Sequence, residues 1–279
     1  MSKLYIVATP IGNLNDISAR ALSVLAESDL IAAEDTRHTR RLLDHYEIKQ
    51  NIVALHDHNE RRQSHLVVDR ILAGEAVALV SDAGTPLISD PGYVLVQQAR
   101  AAGIVVEPIP GPSALTAALS VSGLPTDQFQ FLGFLPSKGR EARIRAFVDY
   151  AGTLVLYEAP HRIENLLTLI VKHFGPSRDV VICRELTKVY EQVIDGPAEA
   201  LLSKLAEGII PARGEMVVLV AGRQSVSDSA IVTLDHCLNV LCAELPVSAA
   251  ASLASRILGV KRNEAYKRAL DHQQVDDQL

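Results

Sequence analysis

One stretch of the chain reads Val80-Ser81-Asp82-Ala83-Gly84-Thr85-Pro86-Leu87-Ile88-Ser89-Asp90-Pro91-Gly92, an apolar run that ends at once in small, polar and turn-forming residues. The apolar run over 76–80 predicts a strand that is buried on both faces. In open parallel sheets, ligands bind just beyond the carboxyl ends of the strands. We therefore expect the functional site at this loop.

Two other predicted strands end in similar loops. The run over 4–8 leads into Thr9-Pro10-Ile11-Gly12-Asn13-Leu14, a tight loop in which Pro10 keeps Thr9 extended. The run over 105–109 leads into Pro110-Gly111-Pro112-Ser113-Ala114, and Ser113 is expected to cap a helix over 115–121. Three such loops on one sheet edge predict a single pocket.

The order of the apolar runs predicts two α/β domains. Strands predicted at 4–8, 30–33, 52–55, 76–80 and 105–109 alternate with helical patterns at 19–26 and 94–102, which is typical of a parallel sheet. After the Ser122-Gly123-Leu124-Pro125 breaker, new runs begin at 129–132, 154–157, 180–183 and 216–220. We place the first domain at 1–122 and the second at 123–224, followed by a polar linker over 224–228.

A short helical appendage is predicted at 229–272. Its apolar residues are Ala254, Ile257 and Leu258 before Gly259, and Ala265, Tyr266, Ala269 and Leu270 after it. This spacing indicates two amphipathic helices that meet at a glycine turn, with the character of a helix-turn-helix. The second helix carries Lys261, Arg262, Lys267 and Arg268, which favours contact with RNA; the alternative is a small bundle that packs on the main body.

Composition restricts the class of protein. The chain has 279 residues, of which 48% are hydrophobic and 22% charged, as expected of a folded protein. Its three cysteines form no Cys-x-x-Cys pair, and their odd number argues against a disulfide framework, so we expect a reducing cytoplasm. Neither a secretory leader nor an apolar run of membrane-spanning length is found, so we expect neither secretion nor membrane insertion.

The net charge of −6 is unfavourable for binding nucleic acid, since phosphate contacts come from Lys and Arg. Two segments nevertheless carry excess positive charge. Between 137 and 145, Lys138, Arg140, Arg143 and Arg145 outnumber Glu141, and the stretch 246–271 has five basic residues against two acids. These clusters are either RNA contacts or solvated surface.

Several common sites are missing from the sequence. Neither a Gly-x-Gly-x-x-Gly fingerprint nor a Gly-Lys-Ser/Thr loop occurs, which disfavours dinucleotide and ordinary ATP chemistry. His56-Asp57-His58-Asn59 contains a His-x-His pair without a clear third ligand, so no metal site is expected. Hydrogen bonding to RNA or to a second subunit is the preferred interpretation of that loop.

Five segments, in this order and spacing, resemble the S-adenosylmethionine-dependent methyltransferases of the tetrapyrrole-methylase fold. They are Ala8-Thr9-Pro10-Ile11-Gly12-Asn13-Leu14, Ala33-Glu34-Asp35-Thr36-Arg37, Ser81-Asp82-Ala83-Gly84-Thr85-Pro86, Tyr157-Glu158-Ala159-Pro160-His161-Arg162 and Arg184-Glu185-Leu186-Thr187-Lys188. Within that fold they are most similar to the bacterial 16S ribosomal RNA cytidine 2′-O-methyltransferases. The resemblance runs from Leu4 to about Gly222.

The resemblance implies an α/β fold with the cofactor cleft between two domains, a homodimer, and a small ribosomal subunit substrate methylated in its decoding centre. It places S-adenosylmethionine against Pro10, Ile11, Asp82, Gly84, Thr85, Ile88, Ser113, Ala114, Tyr157, Glu158 and Leu186. Many relatives of the wider fold have Gly-Asp-Pro where this chain has Gly84-Thr85-Pro86, with its acid upstream at Asp82.

Transfer of a methyl group to a ribose hydroxyl calls for alignment and for a group that accepts the hydroxyl proton. Glu34, Asp35 and Lys188 follow predicted strands and are the candidate catalytic residues, with Arg37, Lys138 and Arg140 as candidate RNA contacts beside the four in the appendage. The alternatives are that Asp35 caps a helix in an ion pair with Arg37, and that Glu185 and Lys188 form a surface salt bridge.

Two other functions fit the same residues. One is methylation of a porphyrin-like small molecule in the same cleft, against which the basic appendage counts. The other is an RNA-binding protein that senses S-adenosylmethionine without transferring its methyl group.

Overall fold

The computed structural model describes residues 3–223 and 234–276. It divides the chain into two compact units, Met1–Arg223 and Gln224–Leu279. Each of the two predicted α/β domains has its own sheet, and both sheets lie in the first unit. The predicted domain boundaries at 122/123 and 224 stay predictions, and the predicted linker over 224–228 lies outside the described residues.

The first sheet is parallel throughout, as its alternation with helices predicts. Its strands are β1 (Leu4–Val7), β2 (Leu30–Ala33), β3 (Ile52–Ala54), β4 (Val77–Val80) and β5 (Val106–Ile109), in the order β3-β2-β4-β1-β5. The helices of this part of the chain are α1 (Ala19–Glu27), α2 (Thr36–His45), α3 (Glu60–Leu72), α4 (Tyr93–Ala101) and α5 (Ala114–Val121). All five strands therefore end at one edge.

Both faces of the first sheet are covered by helices. Val7 and Ile31 pack with residues of α1 and α2 on one face. Leu4 and Leu79 pack with residues of α3 and α4 on the other. Burial on both sides explains why these strands are continuous apolar runs rather than alternating ones.

The second sheet is mixed. Its strands are β6 (Phe129–Phe134), β7 (Thr153–Glu158), β8 (Asp179–Arg184), β9 (Gln192–Pro197) and β10 (Met216–Val220), in the order β6-β7-β10-β8-β9. Strands β6 and β7 are parallel, whereas β10 is antiparallel to both β7 and β8. The helices are α6 (Arg140–Arg145), α7 (Ile163–Phe174) and α8 (Ala198–Ala206), and short 3₁₀ turns lie at Leu14–Asp16 and Pro160–Arg162.

The second sheet meets the first domain through one face. Leu154 and Val218 point to the core shared with α7 and α8. Their neighbours in sequence, Val155 and Leu219, point the opposite way and pack with Ile11 and with residues of α5. The two sheets are thus held together across α5, with the loops that follow β1, β4 and β5 at the junction.

The second unit contains α9 (Leu234–Glu244), α10 (Val247–Leu258) and α11 (Arg262–Asp276). Gly259 ends α10 in the left-handed conformation, with φ of 67°, so the predicted glycine turn between two helices is confirmed. Ala254, Ala265 and Ala269 are buried in its core as expected, but Ile257, Tyr266 and Leu270 are 62%, 43% and 39% exposed. Among the described helices of either unit, none combines the length and the apolar character needed to cross a membrane.

Candidate active site

Hydrogen bonds join the three predicted loops. Thr9 and Gly84 exchange backbone hydrogen bonds of 2.9 and 3.0 Å, which connect the loops after β1 and β4. The Thr85 hydroxyl donates to the carbonyl of Pro112 at 3.1 Å, which connects the loops after β4 and β5. The expected meeting of the three loops at one edge is therefore found.

The loop after β8 closes against the first domain. The Asn13 N–H donates to the Thr187 hydroxyl oxygen at 3.1 Å. A Cβ at Gly12 would lie 2.5 Å from Cγ of Lys188, so this position requires glycine if the two loops are to touch.

Non-glycine residues with left-handed backbone lie in two of the loops around the site. Leu87 and Ser89 have φ of 73° and 74° in the loop after β4, while Glu185 and Thr187 have φ of 52° and 65° in the loop after β8. This conformation is uncommon for such side chains and costs free energy, so the surrounding structure must hold it. Functional sites are where such strain concentrates.

Tertiary contacts hold both strained loops. The Glu60 carboxylate accepts the N–H groups of Gly92 and Val94 at 2.8 and 2.9 Å, which anchors the far end of the first loop. The Glu185 carboxylate accepts the N–H of Glu215 at 2.9 Å, and the Glu185 N–H donates to the Glu215 carbonyl at 2.9 Å.

A cavity of about 430 Å³ lies between the two sheets, walled by these loops and by β7, β8 and β10. Ten of the eleven residues expected to contact the cofactor line it: Ile11, Asp82, Gly84, Thr85, Ile88, Ser113, Ala114, Tyr157, Glu158 and Leu186. Pro10 is not among the lining residues. Ser113 occupies the N-cap position immediately before α5, as expected, but its side chain makes no capping hydrogen bond there.

Of the candidate catalytic residues, Glu34 lines the cavity. Asp35 does not; its side chain accepts the N–H of Arg37 at 2.8 Å and forms an ion pair with the Arg37 guanidinium at 2.7 Å. Hydrogen bonds from Arg37 hold the pKa of Asp35 well below its usual range. Asp35 is thus the helix cap of the alternative interpretation, and as a proton acceptor it is a poor candidate.

Lys188 is not among the residues that line the cavity, and it is paired with two carboxylates. Its ammonium lies 3.0 Å from Glu185 and 3.1 Å from Glu215. Burial alone would lower the pKa of Lys188, but the hydrogen bonds to Glu185 and Glu215 outweigh it and raise that pKa above the ordinary value. Lys188 therefore stays protonated: it can attract an anion, but it cannot accept a proton.

The candidate RNA contacts differ in exposure. The Arg37 side chain is 87% exposed, and Lys138, Lys261, Arg262 and Lys267 are exposed as well. Arg268 is also exposed and forms an ion pair of 2.7 Å with Asp235. Arg140, by contrast, is buried and bonded to Glu158, so its expected role in RNA binding is corrected: it supports the cavity wall.

Five acidic residues line the cavity: Glu34, Asp82, Asp90, Glu158 and Glu215. Two of them have basic partners, since Glu158 contacts Arg140 and Arg162, and Glu215 contacts Lys188. Within residues 3–223, the ion pairs of the structure include none for Glu34, Asp82 or Asp90. Of these three residues, Glu34 and Asp82 were predicted from the sequence as site residues and Asp90 was not, although it lies in the loop where the site was expected.

Two of these three carboxyl groups, Glu34 and Asp90, have raised pKa values, which oppose their ionisation. Burial, and then the charge of Glu34, raise the pKa of Asp90 to about 7. Burial, and then the charge of Asp82, raise the pKa of Glu34. We call Glu34, Asp82 and Asp90 the acidic wall. Within the described residues, no group of three or more His, Cys, Asp and Glu side chains has the arrangement of a metal site.

The second sheet contributes an aromatic wall to the cavity, made of Phe134 and Tyr157. Tyr157 packs edge-on against Phe131 and Phe134, with ring centroids 4.9 and 5.5 Å away. Burial raises the pKa of Tyr157 and of Cys183 to about 12, so both stay protonated. Phe134, Cys183 and Glu215 are cavity residues that the sequence analysis missed; Glu215 could have been found only by knowing that β10 runs antiparallel and begins at this edge.

Comparison with known proteins identifies the family to which the chain belongs. The family of Tetrapyrrole (Corrin/Porphyrin) Methylases matches residues 3–202, and the RsmI C-terminal HTH domain matches residues 228–273. The chain is 49% identical to "Ribosomal RNA small subunit methyltransferase I" of Vibrio cholerae over 96% of this chain and 94% of that protein. It is also 49% identical to the protein of the same name from Escherichia coli O157:H7, over 97% of this chain and 96% of the relative.

A solved structure shares the fold. Uroporphyrin-III C-methyltransferase of Thermus thermophilus, complexed with S-adenyl homocysteine, superposes with a TM-score of 0.55 at 19% identity, over 78% of this chain and 97% of that one. At this identity the likeness shows the fold alone.

The cavity suits S-adenosylmethionine in volume and in chemistry. Its volume of about 430 Å³ is in the range of small-molecule sites. Its aromatic wall offers a surface for a flat ring, its acidic wall suits a cationic group, and Gly84 (φ of 82°) leaves room where a Cβ would stand 3.4 Å from Ile11. The chain therefore belongs to the S-adenosylmethionine-dependent tetrapyrrole methylases and, among them, to the ribosomal RNA small subunit methyltransferase I family.

Proposed function

We propose that this protein methylates the 2′-hydroxyl of a cytidine in the 16S ribosomal RNA of the small subunit. The observation that carries the proposal is the 49% identity, over nearly the whole chain, to relatives named for small-subunit ribosomal RNA methylation. The position on the ribose follows from the family resemblance of the five sequence segments. The cavity between the two sheets supplies a site for the methyl donor.

The residues that hold the donor are those that the resemblance names and that line the cavity. Bound S-adenosylmethionine supplies an electrophilic methyl group on a sulfonium. Ile11, Gly84 and Thr85 from the first domain and Tyr157 and Leu186 from the second enclose it, with Pro10 setting the entry of the first loop. Holding the ribose oxygen in line with the methyl carbon, at about 3–3.5 Å, supplies much of the rate acceleration.

Glu34 is the proton acceptor in this proposal. The Glu34 carboxylate would accept the proton that the ribose hydroxyl loses when its oxygen takes up the methyl group. The raised pKa of Glu34 makes it a better base than an ordinary carboxylate, whereas Asp35 is held ionised and Lys188 protonated. Lys188 acts as a fixed cation that attracts a phosphate of the RNA.

The RNA contacts in this proposal are Arg37 and Lys138 in the first unit and, in the second unit, Lys261, Arg262, Lys267 and Arg268. Structured RNA is recognised through phosphate contacts and the 2′-hydroxyl, and exposed lysine and arginine side chains in either unit can supply the phosphate contacts. The protein would act in the cytoplasm, on the small ribosomal subunit. It would act as a homodimer, for which the exposed apolar residues Val189 and Tyr190, 93% and 69% accessible, offer contact area.

The test is transfer of tritium from methyl-labelled S-adenosylmethionine to small ribosomal subunits isolated from cells without this activity. Nuclease digestion and mass analysis of the labelled nucleoside follow. We expect 2′-O-methylcytidine. Label on a base, or on another nucleoside, would contradict the proposed position, and label on a porphyrin-like acceptor but not on RNA would overturn the substrate class.

A further inference from the structure

The acidic wall is unusual for a cavity whose entrance must admit a polyanion. Glu34 follows β2, and Asp82 and Asp90 follow β4, so adjacent parallel strands bring three carboxylates to one side of the cavity. Among the described residues that line this cavity there is no lysine, arginine or histidine. The carboxylates at the edge of the cavity are already paired with cations: Glu158 with Arg140 and Arg162, and Glu185 and Glu215 with Lys188.

Groups from the surrounding elements reinforce the negative potential. Asp57, in the loop after β3, adds its charge to Glu34 and Asp90, and the Tyr157 hydroxyl faces Asp90 from β7 without supplying a cation. Hydrogen bonds organise the wall: the Asp82 carboxylate accepts the N–H of Asp35 at 3.0 Å, the Asp82 backbone hydrogen-bonds Glu34, and the Ser81 side chain hydrogen-bonds Asp90. The wall is therefore a fixed feature of two loops.

We propose that Glu34, Asp82 and Asp90 select ligands by charge, so that the cavity binds cationic S-adenosylmethionine more tightly than the neutral thioether S-adenosylhomocysteine that remains after transfer. The proposal rests on the assignment of this cavity to the methyl donor and is independent of which RNA position is methylated. Its consequence is faster release of the by-product. The raised pKa values of Glu34 and Asp90 agree with it, since a cation in the cavity would favour their ionised forms.

The charge balance of the reaction fits this selection. Transfer converts a sulfonium into a neutral thioether and releases one proton from the ribose hydroxyl. When the positive charge on sulfur disappears, the carboxylates lose the group that stabilised their ionised state, so their affinity for a proton rises. The acidic wall is then ready to take the proton at the stage of the reaction in which it is released.

The experiment is isothermal titration of the full chain, without RNA, with three ligands at about pH 8. These are S-adenosylmethionine, S-adenosylhomocysteine, and sinefungin, in which an amine-bearing carbon replaces the sulfonium. We compare the wild type with Asp90→Asn and Glu34→Gln, which keep the side-chain shape and remove one charge. Asp69→Asn, on the exposed face of α3 in the same domain, is the matched control.

We expect the wild type to bind the two cationic ligands more tightly than S-adenosylhomocysteine. Each cavity variant should reduce that ratio by on the order of three- to tenfold, the effect of one charge at partly screened distances. Affinity for S-adenosylhomocysteine should stay nearly constant, and Asp69→Asn should change neither value. In the wild type the ratio should also fall as the pH is lowered from about 8 to about 5.5, which tests the proposal even if a variant does not fold.

Other results would overturn the inference. If a variant bound all three ligands more weakly by the same factor, the carboxylates would contact the ligand without distinguishing its charge. The proposal would be contradicted if the ratio of the affinities for S-adenosylmethionine and S-adenosylhomocysteine stayed the same in both variants and at both pH values. If the wild type bound none of the ligands, the assignment of the cavity to the donor would fail, whereas loss of methyl transfer to RNA with normal selectivity would count against the proposed substrate alone.

Discussion

Replacing Asp90 with asparagine should stabilise the ligand-free protein at high pH and leave its stability unchanged at low pH. Burial and the charge of Glu34 raise the pKa of this carboxyl from 3.8 to about 7, a difference of about 3 units. At 1.36 kcal/mol per unit, ionisation in the folded state costs at most about 4 kcal/mol. The side chain is only partly buried, so solvent screening reduces this to about 1–2 kcal/mol.

The sign follows from proton binding. Between about pH 4 and pH 7 the folded protein holds a proton on Asp90 that the unfolded chain has lost, so the free energy of unfolding falls as the pH rises through this window. Asparagine carries no proton, and the variant escapes this loss. Its advantage over the wild type should be absent near pH 4, complete by about pH 8, and equivalent to about 2–8 °C in melting temperature.

Urea unfolding of the wild type and of Asp90→Asn measures the difference in their free energies of unfolding at pH 4 and at pH 8. Asp69→Asn is the control for removal of an exposed charge. A gain that is equal at the two pH values would mean that asparagine improves packing or the loop conformation. A loss at pH 8 would mean that the ionised carboxylate is held by a favourable contact. Either result would refute the electrostatic account of the acidic wall.

Three further changes test other parts of the site. Thr85→Arg should abolish binding of S-adenosylmethionine in calorimetry, since the larger side chain fills a cavity of about 430 Å³, whereas Thr85→Ser should retain binding through its hydroxyl bond to Pro112. Lys188→Ala should leave the dissociation constant of S-adenosylmethionine unchanged and slow methyl transfer by on the order of a hundredfold; weaker cofactor binding would contradict this. Glu158→Ala should destabilise the protein to urea by about 3–5 kcal/mol, because it leaves the buried Arg140 without its carboxylate, and a cost below about 1 kcal/mol would show that this pair is dispensable.

The framework of the fold could be predicted from the sequence because burial imposes it locally. Strands β1, β2 and β4 are covered on both faces, so each is an uninterrupted apolar run bounded by turn residues. The parallel order follows once helices alternate with those runs. Strand β9 escaped prediction because it lies at an edge, where Gln192–Pro197 alternates between half-buried and exposed residues and ends in proline.

The cavity was predictable to the extent that it is built from loops after parallel strands. Turn-forming residues at the ends of buried runs located the loops, and Gly84, Thr85 and Ser113, which the family resemblance named within them, line the cavity. Glu215 was missed because it lies immediately before the antiparallel strand β10, and local sequence does not show which strand will lie between β7 and β8. Arg140 was misplaced for a related reason: a count of charges along the chain cannot show that one arginine faces a buried carboxylate.

The costly features of this molecule coincide at the cavity, and that coincidence is itself an argument for its function. Leu87 and Ser89 hold left-handed backbone in the loop that carries Asp90, and Glu185 and Thr187 do so in the loop opposite. The acidic wall adds repulsion between carboxylates that a core built only for stability would avoid. A folded chain keeps such local conflicts where a ligand offsets them, and a cation enclosed between the two walls would relieve the repulsion while filling the space that the strained loops surround.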